Sequence, residues 1–165
     1  MIKKFISFIT TILMFYALVC SVLMILQIVL DVTGRYIWVP LPGTVIIVSF
    51  WYMPAFIFLT IAYAERERAH IEVTLFTDHL PQFWIKMFTV LGSIVMFIIF
   101  FILGWFGLDF AIDSYQVREF KEDIVNILVW PATFYIPIGC WVLCAQLGLH
   151  IFEDLKTMKE LRIHD

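Results

Sequence analysis

Four stretches of this chain are apolar for longer than the hydrocarbon of a bilayer is thick, and that feature leaves few folds open. They run approximately from Ile6 to Leu30, Thr44 to Ala64, Ile85 to Leu108 and Ile124 to Phe152. Crossing about 30 Å of hydrocarbon at about 1.5 Å per residue takes about 20 residues. Inside lipid the backbone has no water to bond, so each run must pair its own N–H and C=O groups as a helix. The sequence therefore predicts an all-α integral membrane protein with four transmembrane helices. The composition agrees: 62% of the 165 residues are hydrophobic and 15% are charged, with a mean hydropathy of +0.95. The linkers are short and carry no Gly-rich or Ser-rich spacer, so residues 1–165 read as one membrane domain. Lys3 and Lys4 ahead of an apolar run have the layout of a secretory signal. The run continues to Leu30 without a small-residue cleavage site, and so reads as a retained first helix.

The basic residues predict orientation, because Lys and Arg close to a helix end resist translocation. Lys3, Lys4, Arg66, Arg68, Lys86, Lys156, Lys159 and Arg162 fall on one side, and Arg35, Arg118 and Lys121 on the other. Both termini are thus expected in the cytoplasm, within a bacterial or archaeal cytoplasmic membrane. Trp and Tyr favour the headgroup level, where a ring can be half wet. Tyr36 and Trp38 close the first run on the outer side, Trp84 opens the third inside, and Trp130 with Pro131 opens the fourth outside. Pro54 and Pro137 each remove a helix hydrogen bond, and kinks are expected there.

Few side chains could carry chemistry. Asp31 and Arg35 stand four apart and share a helix face, which suits an ion pair at the outer interface. Asp109 and Asp113 repeat the spacing at the expected outer end of the third helix, ahead of an outer loop from Asp109 to Asp123. Gln27 is polar at depth. The histidines and cysteines are not spaced for haem or zinc, and the expected outer loops lack the cysteine pairs of a thiol oxidase. No catalytic residue, metal site or cofactor is expected on this chain, which reads as no enzyme. A net charge of −3 with no basic stripe sets aside nucleic acid. The most distinctive segment lies between the second and third runs. There Arg66, Arg68 and His70 precede a mixed apolar stretch that suits an amphipathic segment lying in the cytoplasmic headgroups. The two arginines are expected to anchor it to membrane lipids.

Several of these elements recur in one order. Arg35-Tyr36 ends the first helix and Pro40-Leu41-Pro42-Gly43-Thr44 opens the second. Ala69-His70-Ile71-Glu72-Val73 follows the arginine pair, Asp78-His79-Leu80-Pro81 leads into the third helix, and Trp130-Pro131 and Tyr135-Ile136-Pro137-Ile138-Gly139 lie in the fourth run. In this the chain resembles the small membrane subunit of the tripartite ATP-independent periplasmic (TRAP) transporters, the DctQ-like family, over nearly its whole length. It departs from the family at Val45 and Ile46, where members commonly carry a glutamate.

The resemblance implies a non-catalytic subunit of a sodium-coupled transporter for small organic acids. Its partners would be a large DctM-like permease, which carries the sodium and substrate sites, and a periplasmic substrate-binding protein. No substrate-binding residue is then expected here. Asp31, Arg35, Tyr36, Trp38, Arg66, Arg68, His70, Trp84 and Trp130 become the candidates for docking or membrane anchoring. Gly92, Ser93, Gly104, Gly107, Gly139 and Gly148 mark places where another helix can approach. Two rival readings are a self-sufficient small ion-coupled transporter working as a homo-oligomer and a haem- or quinone-holding enzyme subunit. The first lacks a midplane carboxylate, the second the required histidines and cysteines.

Overall fold

The computed structural model describes residues 2–37, 41–67, 82–122 and 126–164. Helix α1 is Ile2–Ile37, α2 is Thr44–Arg66 and α3 is Gln82–Gln116. A two-strand hairpin, β1 Phe120–Lys121 and β2 Ile127–Leu128, leads to the single turn α4, Trp130–Thr133, and the long α5, Tyr135–His164. Four helical spans are long and apolar enough to cross a membrane: Lys3–Ile37, Thr44–Arg66, Ile85–Gln116 and Trp130–Thr157.

The helices run on past the apolar runs that announced them. Hydropathy marks only the part that sits in hydrocarbon, whereas helical hydrogen bonding continues into water wherever no breaker intervenes. Asp109 and Asp113 thus lie within α3 rather than in an outer loop. The fourth helix, conversely, starts later than expected, at Trp130 instead of Ile124. Ile127 and Leu128 pair with Lys121 and Phe120 as strands, and Pro131 sits in the first turn, where its missing N–H costs nothing. α3 stops through a left-handed residue, Arg118 at φ 48°. Its N–H donates to the Tyr115 carbonyl at 3.1 Å, and the Glu119 N–H reaches back to the Ser114 carbonyl at 2.9 Å.

Both expected kinks take a specific form. Pro54 cannot donate to Phe50, and its ring would crowd that carbonyl. The preceding turn, Val48–Tyr52, widens into a π-helix in which the Met53 N–H reaches the Val48 carbonyl. Pro137 cannot donate to Thr133, and the helix is interrupted at Phe134 between α4 and α5.

The helices pack as a row. α1 lies against α2, α2 against α5, and α5 against α3, while α1 and α3 share no packed seam among the described residues. The α1 side of the first seam is Thr10, Leu13, Ala17, Cys20, Met24, Gln27 and Asp31, spaced alternately three and four apart. This is the heptad stripe of a left-handed helix pair. Ala17, Cys20, Ala55 and Leu59 form its buried centre. Ala62, Leu143 and Leu147 form a second core where α2, α5 and α3 converge. Three of the glycines serve these internal seams. A Cβ on Gly139 would overlap the Phe58 carbonyl of α2, and Cβ atoms on Gly104 and Gly107 would come within 2.7 Å of Trp141 and 2.9 Å of Ile136. Gly92 and Gly148 meet nothing within 4 Å. In a row the flanking helices stay uncovered: 44% of the most apolar window of the fourth span is buried, against 11% in α1 and in α3.

Candidate docking and anchoring sites

One end of the row carries both chain termini, and there the last turn of α2 reaches in two directions. Glu65 turns toward α5, where its Oε1 lies 2.9 Å from His150 Nδ1. The other ring nitrogen of His150 lies 3.2 Å from Gln146 Nε2. All three side chains are buried. A buried carboxylate is tolerable only with partners of this kind, since an unpaired one would shed its charge or open the packing. The next residue, Arg66, turns toward α1. Its Nη1 donates to the Ser7 carbonyl at 3.3 Å, to Ser7 Oγ at 3.1 Å and to Thr11 Oγ1 at 2.8 Å. Its other edge pairs with Glu67 at 2.8 Å, and the guanidinium lies 4.4 Å from the centre of the Tyr63 ring. Lys3 and Glu153 form an ion pair between α1 and α5. Beside these contacts lies an open cleft of about 830 Å³ between the three helices.

The opposite end is built differently. Asp31, buried near the end of α1, receives Arg35 Nε at 2.9 Å and the Leu41 N–H at 2.8 Å. It thereby ties the end of α1 to the residues that lead into α2. Gly43, at φ 77°, turns the chain into α2, and the Ile127 side chain occupies the space a Cβ would need. In the hairpin, Glu119 accepts from Ser114 Oγ at 2.9 Å and pairs with Lys121 at 2.9 Å. The Lys121 ammonium and the Ser114 hydroxyl hold its carboxyl below the ordinary value of 4.5. Trp51 Nε1 donates to the Leu128 carbonyl at 2.9 Å and joins hairpin to α2.

The sequence-selected residues now have places. Asp31 and Arg35 are brought together as an ion pair, Asp31 buried and Arg35 largely exposed. Tyr36 is 93% exposed beside them. Trp130 is half-buried and meets Tyr115 edge-on at 4.9 Å and Phe134 at 6.5 Å, so much of its ring packs within the chain. Arg66 is turned inward onto α1. Trp38, Arg68, His70 and the whole proposed amphipathic segment lie outside the described residues, as does the side chain of Trp84. Val45 is 67% exposed on the first turn of α2.

Glu65, Gln146 and the role of His150 escaped the reading of the sequence. The available signal was the recurrence of Gln146, His150 and Asp154 at every fourth residue, a polar stripe on one face of an apolar helix. Among the described residues, no three His, Cys, Asp or Glu side chains are gathered to hold a metal ion.

Compared with known families, residues 24–157 match the model described as "Tripartite ATP-independent periplasmic transporters, DctQ component". The chain belongs to this family. No curated protein matches it closely enough to add to that assignment. As a DctQ component it is the small membrane subunit of a TRAP transporter, a multi-pass membrane protein that is one part of a tripartite system. The match covers the hairpin end and most of the row, and begins after the α1 residues Lys3 to Thr11 that wall the cleft.

Proposed function

We propose that this DctQ subunit is a fixed scaffold that widens and anchors the membrane part of its transporter and moves no solute itself. The observation that carries this reading is the row. Four helices joined edge to edge leave the apolar flanks of α1 and α3 open along their length, a surface suited to a larger helical partner and to lipid. A transporter's own site is usually marked by broken helices gathered round polar groups near the midplane. Among the described residues of this chain the buried acids lie toward the two ends of the row: Asp31 toward one, Glu65 and Asp154 toward the other.

The partners in this reading are a DctM-like permease carrying the substrate and sodium sites, and a periplasmic binding protein that delivers a small organic acid. Both termini face the cytoplasm, as the Lys and Arg asymmetry supports. Arg35 and Tyr36, exposed beside the buried Asp31, are the docking candidates at the outer edge.

Reconstitution tests the scaffold. The purified chain alone in liposomes under an inward sodium gradient is expected to take up no solute, and uptake should appear only when permease and binding protein are added. Saturable, sodium-dependent uptake by the chain alone would overturn the reading. Orientation is checked separately by introducing a cysteine at Glu67. Labelling of that cysteine by an impermeant reagent from outside intact cells would reverse the assigned sides.

A further inference from the structure

Three helices that elsewhere meet mainly through apolar side chains, apart from a hydrogen bond between the Tyr16 and Tyr135 hydroxyls, present polar ones to each other at the terminal end. On α1, Ser7 and Thr11 stand four apart, so one helix face is polar for more than a turn below Lys3 and Lys4. Gln146 and His150 face them from α5, and Arg66 closes the space from α2. The resulting cleft, about 830 Å³, has room for far more than a bridging water, which takes about 30 Å³ of liquid volume.

The charges in the cleft are unevenly satisfied. Its lining holds three cations, Lys3, Lys4 and Arg66, and two carboxylates, Glu67 and Glu153, with a third, Glu65, bonded to the lining residue His150. Lys3 pairs with Glu153 and Arg66 with Glu67. Among the described residues Lys4 has no such partner, and it is exposed. Arg66 is held in place by its bonds to Ser7, Thr11 and Glu67, so an anion entering the cleft meets the unpaired Lys4 ammonium on its flexible stem beside a fixed guanidinium that Glu67 already shares. The border is apolar: Phe8, 63% exposed, and Leu149 also line the cleft. A polar cleft with an unpaired ammonium, Lys4, beside the exposed Phe8 ring matches a molecule with an anionic head and a hydrocarbon tail.

We propose that this cleft is a binding site for the phosphate headgroup of an anionic phospholipid from the leaflet on the side of the chain termini. Lys4 and Arg66 pair with the phosphate, and Phe8 meets the start of an acyl chain. The site rests on the membrane placement above but does not depend on the partner permease or on the scaffold role.

The test uses the full chain purified in mild detergent, with retention of phosphatidylglycerol and of phosphatidylcholine of the same acyl composition measured by native mass spectrometry. Phosphatidylglycerol should be retained in preference. Lys4→Gln should weaken that retention about fivefold, the effect expected for one basic residue near an anionic headgroup, and leave phosphatidylcholine unchanged. Arg66→Gln should weaken it further. Because Arg66 also ties α2 to α1, Arg66→Lys serves as its folded control and should keep most of the preference. Equal retention of the two lipids, or phosphatidylglycerol binding unaltered in Lys4→Gln, would overturn the site. Displacement of the lipid by inorganic phosphate, beyond that by sodium chloride at matched ionic strength, would assign the cleft to a free anion instead. Loss of the lipid on assembly with the permease would give it to a partner segment. Failure of the chain to assemble or to support uptake, with lipid preference intact, would count against the scaffold and leave this site standing.

Discussion

The two ends of the helix row use polar side chains for different purposes. At the terminal end the bonds run between residues far apart in sequence: Glu65 to His150, Arg66 to Ser7 and Thr11, Lys3 to Glu153. They lock one helix to another. At the hairpin end most bonds are local, Asp31 to Arg35 and Leu41, and Ser114 to Glu119. They shape the turns by which the chain leaves one helix and enters the next, and Trp51 to Leu128 is the long-range exception. A row of helices with little shared core needs both devices. Apolar seams between helices in lipid gain little from excluding water, so specific polar contacts and close approach at small residues must set the register.

If the terminal end is a clamp between helices, its loss should cost most. His150→Ala leaves Glu65 buried without its imidazole partner and should lower unfolding stability by about 3 kcal/mol, the range for breaking a buried pair. Thermal unfolding in detergent reads this directly. Glu65→Leu combined with His150→Leu should recover only part of the loss, because the buried carboxylate goes with its partner while buried Gln146 loses its bond to His150. A single variant as stable as the wild type would dissolve the contrast between the ends.

At the hairpin end the corresponding change is smaller. Asp31→Ala removes an ion pair and a loop hydrogen bond but leaves Arg35 largely in solvent, and should cost about 2 kcal/mol. The same melting assay checks it, and Asp31→Asn should retain part of the contact through its carbonyl oxygen. A loss exceeding that of His150→Ala would reverse the ranking of the two ends.

Acid should affect the hairpin through Glu119. Its carboxyl is held below the ordinary 4.5 by Lys121 and Ser114. The contribution is therefore fully present above pH 4.5 and is lost as pH falls below that value through the lowered one. The protection factor of the Val129 amide, which donates to the Glu119 backbone carbonyl, should fall over that window, and Glu119→Gln should remove the acid-dependent step.

The smallest expected effect is at Arg118. Its left-handed conformation costs a non-glycine residue about 1 kcal/mol, and Arg118→Gly relieves this while gaining unfolded-state entropy. The net stabilisation should be a few tenths of a kcal/mol, visible as a slight rise in melting temperature. A fall would mean that the Arg118 side chain matters more to the hairpin end than its backbone.

The sequence by itself determined whatever depends on neighbours along the chain. Runs of twenty or more apolar residues can meet lipid only as helices, so the four spans were legible. Asp31 and Arg35 were legible as a pair because four residues make one helical turn. Pro54 announced a disturbance, since a proline inside a helix, beyond its first turn, deletes a bond, but whether it would bend, break or widen the helix depended on what packed beside it. The late start of the fourth helix was hidden because Ile127 and Leu128 are as apolar as the helix they precede. Only pairing with Phe120 and Lys121 made them strands. The order of helices in the row, and with it the meeting of Glu65, His150 and Gln146, was decided by the tertiary structure alone. Hydropathy is a property of each helix, whereas the face a helix turns to its neighbour depends on which glycines and alanines let the two approach. Two residues separated by 85 positions have no local signature of contact. Their burial becomes tolerable only because the fold brings them together.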